Sequence, residues 1–550
     1  MKKVYGIDLG TTNSCIAHVK GHNDVEVIPN ESTQTTPSVV FFEKNHLNEL
    51  NIMVGAIAQA YEAVEPERTV SHIKNYIGDK HYRVYIDNDE YEPEQISSYI
   101  LKQVVQEAEK RVGEKIEDVV ITVPAYFGVN EREATKRAGE LAGLNVIDLI
   151  NEPIAAAIAY GTKNTMNKRV LVYDLGGGTF DCTLIEVSPS GIEVIATGGQ
   201  RNLGGKDWDY AIMEYLQKYY IDQTGNMDNI LDTPETEKEL RKQVEENKKH
   251  LIHRYSTIIT YMHKFHKLRV TLSRELFSDL TKHLLEQTIQ LTKRMLEEAR
   301  EKRPGADKFD EIILVGGASR MLDVSTRLQQ EFGIEPKLYD PDEAVAKGAA
   351  IYGQEASVRN WLVSSIADLQ GKAPETIDLQ KTAEQPAEEE LSLPELHALY
   401  EQASAVYSLP PSVVKGIAET KVKNVTSKSF GIVLRDVVNN RDVVKSLIKK
   451  NATLPVTVTE VYPLSEDNQK DISIRIVEND FTKDIIPVRD SKLIDKLRFI
   501  LPEGLSKNSK IEVKFNMLND GRLVFQAIDL TTGKKVSREV KTTDAVTTEQ

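Results

Sequence analysis

The sequence predicts an α/β fold made from two copies of one unit, then a helical stretch, then an antiparallel β-sandwich. Three internal echoes carry the first part of that prediction. "KKVYGIDLGTTNS" (Lys2 to Ser14) and "RVLVYDLGGGTFD" (Arg169 to Asp181) each run an apolar strand into Asp-Leu-Gly and then hydroxyls. "DVVITVPAYF" (Asp118–Phe127) is answered by "EIILVGGASR" (Glu311–Arg320), again an apolar run ending in a small-residue turn. "NEPIAAAIAYG" (Asn151–Gly161) is answered by "DPDEAVAKGAAIYG" (Asp340–Gly353), both reading as Pro-started, Ala-rich helices that stop at Gly. The echoes recur in one order, as a duplicated α/β unit would leave them.

Helical periodicity follows the second echo in both copies, in "NEREATKRAGELAGL" and "MLDVSTRLQQEFG". The second copy carries an insertion from Gly205 to Pro304 that reads as mostly helical, with "TEKELRKQVEENKKHLI" strongly amphipathic. Together these elements occupy residues 1–355. Residues 356–420 turn Ala-, Glu- and Leu-rich and suggest short helices punctuated by prolines. Residues 421–545 alternate in "SFGIVLRDVV", "TVTEVYPL", "DISIRIVE" and "KIEVKFNMLNDGRLVFQAIDL", a β-sandwich pattern with "NDGR" as a hairpin turn. Residues 546–550 read as a tail.

Bulk properties narrow the function. A chain of 550 residues exceeds one hydrophobic core. A formal charge of −15 argues against a nucleic-acid or anionic-membrane binder, yet permits a local basic pocket. Only Cys15 and Cys182 occur, so no disulfide framework is expected and a reducing, cytoplasmic location fits. No apolar run is long enough to span a bilayer, and Asp8 interrupts any signal-like core near the N-terminus.

The repeated turns suggest phosphate chemistry. Glycine lacks a Cβ, so Gly176, Gly177 and Gly178 can bring backbone N–H groups close to a polyphosphate, with the Thr179 hydroxyl behind them. Gly10, Thr11, Thr12 and Asn13 offer the same from the other copy, and Gly204–Gly205 and Gly316–Gly317 add further close backbone. Neither the P-loop nor the dinucleotide fingerprint is present. Asp8, Asp174 and Asp181 stand at or just after strand ends, where carboxylates would repel phosphate unless a cation lay between. Mg²⁺, which keeps several of its waters, suits that position, with a monovalent ion beside it. Any one of these Asp residues alone would read as a turn cap.

At these residues the chain resembles the DnaK-type, heat-shock protein 70 family of chaperones. The resemblance covers nearly all of 1–355 through "GIDLGTTNS", "ITVPAYF", "INEPIAAAIAYG", "DLGGGTFD", "LGGKDWD" and "ILVGG". It implies an actin-like, duplicated ATPase domain that binds ATP/ADP with Mg²⁺ and K⁺. It implies Lys74 as the catalytic lysine that orients water and γ-phosphate, with Glu152, Asp174 and Thr179 completing the hydrolysis site. Without the family, Lys74 reads as a surface lysine and Glu152 as a first-turn helix acid. Glu246 and Lys249 match ribose and adenine contacts, while Ser319 and Arg320 follow the last phosphate turn. The Arg320 guanidinium is placed to stack on adenine, or is an ordinary helix-start cation. Pro124 and Arg132 match switch elements.

The β-rich region resembles the family's peptide-binding domain more weakly. It implies Ile432, Leu434, Tyr462, Ser465 and Ile472 around a groove for extended apolar peptide. The competing assignment makes these residues plain sandwich core. Implied partners are unfolded or client polypeptides and a nucleotide-exchange factor, with no nucleic acid and no membrane.

Four departures qualify the resemblance. The chain stops at Gln550, where the family continues into a helical lid, so bound peptide is expected to leave quickly. The linker "AETKVKNVTSKS" is polar, so Val422 and Val425 are expected to add little to docking. About sixty residues precede it as an insertion. Asp148 stands where the family usually has an arginine, which disfavours a conventional J-domain partner, and "FGVNERE" lacks the usual acid after the turn. His263 and His266 in "YMHKFHK" are expected at the surface or a partner contact. The expected function is an ATP-hydrolysing chaperone. The alternatives are a nucleotide-stabilised scaffold with little ATPase activity, or a metabolite kinase on the same fold.

Overall fold

In a computed structural model the described residues are 3–540, except 22–23, 31–32, 46–48, 162–166, 189–190, 385–390, 437 and 519–520. Two sheets carry the duplication. The first runs β1 (Tyr5–Asp8), β2 (Asn13–Gly21), β3 (Asp24–Val27), β4 (Asp118–Val123) and β5 (Asn145–Asn151), in spatial order β5–β4–β1–β2–β3. The second runs β6 (Lys168–Leu175), β7 (Thr179–Ser188), β8 (Gly191–Arg201), β9 (Glu311–Val315) and β10 (Lys337–Leu338), in order β10–β9–β6–β7–β8. In both, the first strand pairs antiparallel with the second and parallel with the fourth. The two spatial orders are one topology written twice, so the repeated motifs stand at equivalent strand ends. Asp8 lies opposite Cys15, and Asp174 opposite Asp181.

Helix α1 (Glu152–Gly161) follows β5 directly. The insertion after β8 holds helix Gly205–Thr224, then α2 (Pro234–His250), then helix Arg274–Lys302. A β-hairpin between the last two, Ser256–His263 paired with His266–Ser273, departs from the expected mostly helical segment. Its alternation is plain once paired: every second residue of Ser256–His263 is buried. Consequently His263 is buried, edge-on to Tyr220, rather than at the surface, and the His266 ring meets Asn226.

The second Ala-rich helix, α3 (Ala344–Gln370), begins as expected but runs past Gly353 and through residue 355 without a break. Its C-terminal turns carry Val358, Leu362 and Ile366, which bury against Leu396, Leu399, Tyr400 and Tyr407 of helix Leu393–Tyr407 and Val414 and Ile417 of helix Pro411–Glu419. An apolar continuation explains the length: burying that face outweighs the poor helix propensity of Gly353. Helices α1 and α3 cross where a Cβ on Gly348 would lie 1.7 Å from the Ala155 carbonyl oxygen.

The polar linker is docked. Its residues Lys421–Lys423 form β11, which adds parallel to the free edge of β8, Ile192 opposite Val422. Backbone hydrogen bonds need no apolar side chains, which is why composition did not reveal this strand. Val425 is buried as well, beside the α1 and β8 side chains. The sandwich beyond has a five-stranded and a four-stranded sheet. Strands Lys510–Met517 and Leu523–Asp529 form the expected hairpin, although turn positions 519–520 and the chain from 541 onward, including the expected tail, lie outside the described residues. Its core centres on Phe515, Phe525 and Met517 and also receives Val129 from the first half.

Candidate functional site

The two repeated turns meet. A Cβ on Gly177 would fall 2.0 Å from Thr12 Oγ1, and one on Gly178 would fall 2.9 Å from Thr11 Cγ2. Around that seam opens a cavity of about 670 Å³ between the halves. The first turn is closed by Gly10 N–H donating to Ser14 Oγ (3.2 Å), with the Gly10 carbonyl accepting from Ser38 Oγ at 2.8 Å. The second is closed by Gly176 N–H donating to the Thr179 carbonyl, 3.0 Å. Helix Gly205–Thr224 starts against it, Gly205 N–H donating to the Gly176 carbonyl at 2.9 Å. A positive-φ residue is needed beside the third turn, where Gly316 (φ 79°) lies against the Asp174 carboxylate.

Lys74, from the short 3₁₀ turn Ile73–Tyr76, is 5% exposed, which rules out the surface reading. Its Nζ donates to Glu152 Oε1 at 2.5 Å. Burial lowers the ammonium pKa, but the charges of Glu152, Asp8 and Asp174 outweigh it and hold the lysine above its usual value. The acids are raised too, which for them favours the neutral form. Burial, then the Glu152 and Asp8 charges, push Asp174 well above the carboxylate range. Burial, then Glu152 and Asp174, does the same to Asp181. Asp8, which accepts from Thr122 Oγ1 at 2.9 Å, and Glu152 are raised mainly by burial, with Lys74 opposing. Three buried carboxylates, with the half-buried Asp8, around one ammonium form a site short of positive charge. The buried Asp181 Oδ1 has no hydrogen-bond partner, a further sign that this cluster suits a cation.

Of the residues singled out in the sequence, Asp8, Gly10, Thr11, Thr12, Asn13, Lys74, Glu152, Asp174, Gly176, Gly177, Thr179, Gly205, Lys249, Gly316, Gly317 and Arg320 line the cavity. Gly178, Gly204, Asp181 and Ser319 stand behind its wall: Gly204 presses on the Gly177–Gly178 backbone, and Ser319 Oγ donates to the Val315 carbonyl at 2.6 Å. Glu246 is a correction. It is exposed and outside the cavity, whereas Glu245 lines it. One residue along a helix turns a side chain about 100°, so the face of α2 that reaches the site carries Arg241, Glu245, Lys248 and Lys249. Spacing by three and four from Lys249 would have found Glu245. Lys248 was also missed; its Nζ meets Asp209 at 2.6 Å and the Gly205 carbonyl at 2.7 Å. Arg320 pairs with Asp342 at the rim.

Arg132, expected as a switch element, is buried, donates to Asn151 Oδ1 and packs under Gly521 of the sandwich. Pro124 is buried at the end of β4, its carbonyl accepting from Phe127 N–H at 3.1 Å. Asp148 accepts from the Tyr352 hydroxyl at 2.6 Å. In the sandwich, Ile432 is buried among the core side chains. Leu434, Tyr462 and Ile472 are half-buried against that core, and Ser465 is exposed with its hydroxyl donating to Gln469 Oε1, 3.0 Å.

A duplicated α/β pair that clamps a charged cavity between phosphate-type turns, followed by a β-sandwich, defines the actin-like ATPases that carry a second, β-sheet domain. The chain belongs to the Hsp70 family: the sequence model described as "Hsp70 protein" matches residues 4–360 and 409–550. The described residues of the unmatched stretch between them belong to α3 and the helices packed on it. Similar relatives include "Chaperone protein DnaK" of Thermosipho melanesiensis, 34% identical over 97% of this chain and 79% of its own length. The protein of that name from Halobacterium salinarum is 32% identical over 98% of this chain and 74% of its own. Among the described residues no helix is long and apolar enough to cross a membrane.

Proposed function

We infer that the chain is an ATP-dependent molecular chaperone that hydrolyses ATP in the clamp between its halves and ties nucleotide state to polypeptide binding. The single observation that carries the hydrolysis site is the convergence of both phosphate-type turns on buried Lys74 within one cavity. Phosphoryl transfer to water asks a protein for positioning and charge stabilisation, with no covalent intermediate. In this reading the turns cradle the phosphates through backbone N–H groups, Lys74 orients water and the γ-phosphate, and the Thr179 hydroxyl donates to a phosphate oxygen.

Asp8, Asp174 and Asp181, with Glu152, are the residues that would hold Mg²⁺, mostly through its waters. Among the described residues no three such groups come together as direct ligands, and Mg²⁺ commonly keeps several of its waters. Bound there, the ion would neutralise charge on the triphosphate. The acids' own part is to fix the water shell and, through Glu152, the Lys74 ammonium.

Glu245 is assigned the ribose contact. Glu245→Gln is expected to weaken nucleotide affinity about tenfold, while Glu246→Gln stays within twofold, both by calorimetric titration. Equal effects from the two variants would remove this assignment.

Coupling is supported by Asn151, which precedes Glu152. Its amide meets Asn424 of the linker at 3.3 Å and the Arg132 guanidinium, so a shift of Glu152 reaches both linker and sandwich. Single-turnover hydrolysis with and without an unfolded apolar peptide tests the whole reading. Turnover that responds to peptide is expected, and Val425→Asp, which places a charge in the linker's buried site, should abolish that response while basal turnover persists. Tight ATP binding with negligible hydrolysis would instead favour a scaffold.

A further inference from the structure

The junction between the first half and the sandwich buries two carboxylates against each other. Glu478, on strand Asp471–Asn479, is 4% exposed, and Glu131, on helix Val129–Leu141, is 6% exposed. Each leaves its Oε2 without a hydrogen-bond partner. Both oxygens face one small space, because a Cβ built on Gly128 would lie 2.5 Å from Glu478 Oε2 and 3.1 Å from Glu131 Oε2.

The neighbouring charges act on the opposite side of each carboxylate. Lys492 Nζ lies 3.2 Å from Glu131 Oε1 and 3.5 Å from Glu478 Oε1, and Arg201 lies 3.6 Å from Glu131 Oε1. Lys428 and Asp480 also bear on Glu478, but they pair with each other at 2.5 Å. Both Oε2 atoms therefore border one space without a hydrogen-bond donor of their own. Two buried anions in that position repel strongly, whereas a single proton turns one oxygen into a donor for the other.

We propose that Glu131 and Glu478 share one proton across this junction, and that the shared proton latches the sandwich to the first half. Docking then takes up a proton from solvent and undocking returns it. Burial, followed by the Glu131 charge, pushes Glu478 up to about 7, against Lys492 and Lys428. Undocking removes the Gly128 and Glu131 surroundings and returns Glu478 toward the ordinary carboxylate range. The docked state thus holds the proton more tightly. Docking is strongest in acid, weakens as pH rises toward about 7 and levels off above it. From pH 6 to pH 8 the docking equilibrium should weaken about tenfold.

The test is amide hydrogen exchange on the full chain without added nucleotide, read in segments 126–133 and 421–427 and corrected for the intrinsic pH dependence of exchange. Leaving nucleotide out separates failure of this proposal from failure of the ATP reading. The opening constant should rise about tenfold from pH 6 to pH 8 in the unaltered chain. Glu478→Gln keeps the shape of the protonated acid and should reduce that rise to under twofold. Glu131→Gln, which removes the opposing charge while leaving the burial, should shrink the rise and covers the case where the first variant fails to fold. A rise of under twofold in the unaltered chain, or a tenfold rise retained in either glutamine variant, overturns the latch.

Discussion

Lys74→Ala leaves ATP binding within about tenfold of the unaltered chain and slows single-turnover hydrolysis about 10²–10³-fold. The reasoning rests on where the ammonium sits. It is buried, hydrogen-bonded to Glu152 and raised in pKa by carboxylates, so it stays charged across the working pH range and needs no reorganisation when charge moves during phosphoryl transfer. Binding is less affected because the backbone N–H groups of both turns, the α2 face and the Gly316–Gly317 turn remain. Removing the lysine also leaves Asp8, Glu152, Asp174 and Asp181 crowded without a cation, so Lys74→Arg is a necessary companion. It keeps the charge but changes the donor geometry. If Lys74→Ala hydrolyses ATP at the unaltered rate, the ammonium has no part in the chemistry and the site must be reassigned. Thr179→Ala should fall in the same direction.

The parts of this site that were legible in the sequence are those that backbone chemistry dictates. Asp-Leu-Gly after an apolar strand can be read without a structure, because few residue types tolerate that turn beside a phosphate. Doing so twice in one order implied the two-sheet topology that the strand pairings display. What stayed hidden depended on register or partner. Glu245 and Glu246 are adjacent acids, and only the rotation of α2 separates a cavity residue from a solvent residue. The linker strand β11 pairs through its backbone, so its lysines concealed it. The hairpin Ser256–Ser273 was masked by Thr260, Lys267, Arg269 and Thr271 on its open face, among which Ile258 and Met262 also stand. Ile432 illustrates a third limit: alternation assigns a face of a strand, but it does not say whether that face meets core or ligand.

Gly348→Ala should be the most damaging single methyl in the chain. In the interior of α3, alanine is worth about 1 kcal/mol more than glycine by helix propensity. Here the added carbon would stand 1.7 Å from the Ala155 carbonyl oxygen and 2.3 Å from its carbon, and no rotamer change relieves a clash with backbone. Helices α1 and α3 must separate, uncovering Ala155, Ala156, Ala349 and their neighbours, so overpacking of about 3 kcal/mol overrides the propensity gain. The thermal midpoint should fall about 5–10 °C. ATP turnover should fall with it at temperatures where the chain is still folded, since α1 begins at Glu152 and any displacement of that helix pulls the acid from Lys74. Gly416→Ala is the matched control: that glycine lies in helix Pro411–Glu419 with no atom within 4 Å of an added Cβ, so the same substitution should raise the midpoint. A chain that tolerates alanine at 348 as readily as at 416 would mean that the two halves are not held together on this crossing. The spacing of the phosphate turns would then have to be set elsewhere.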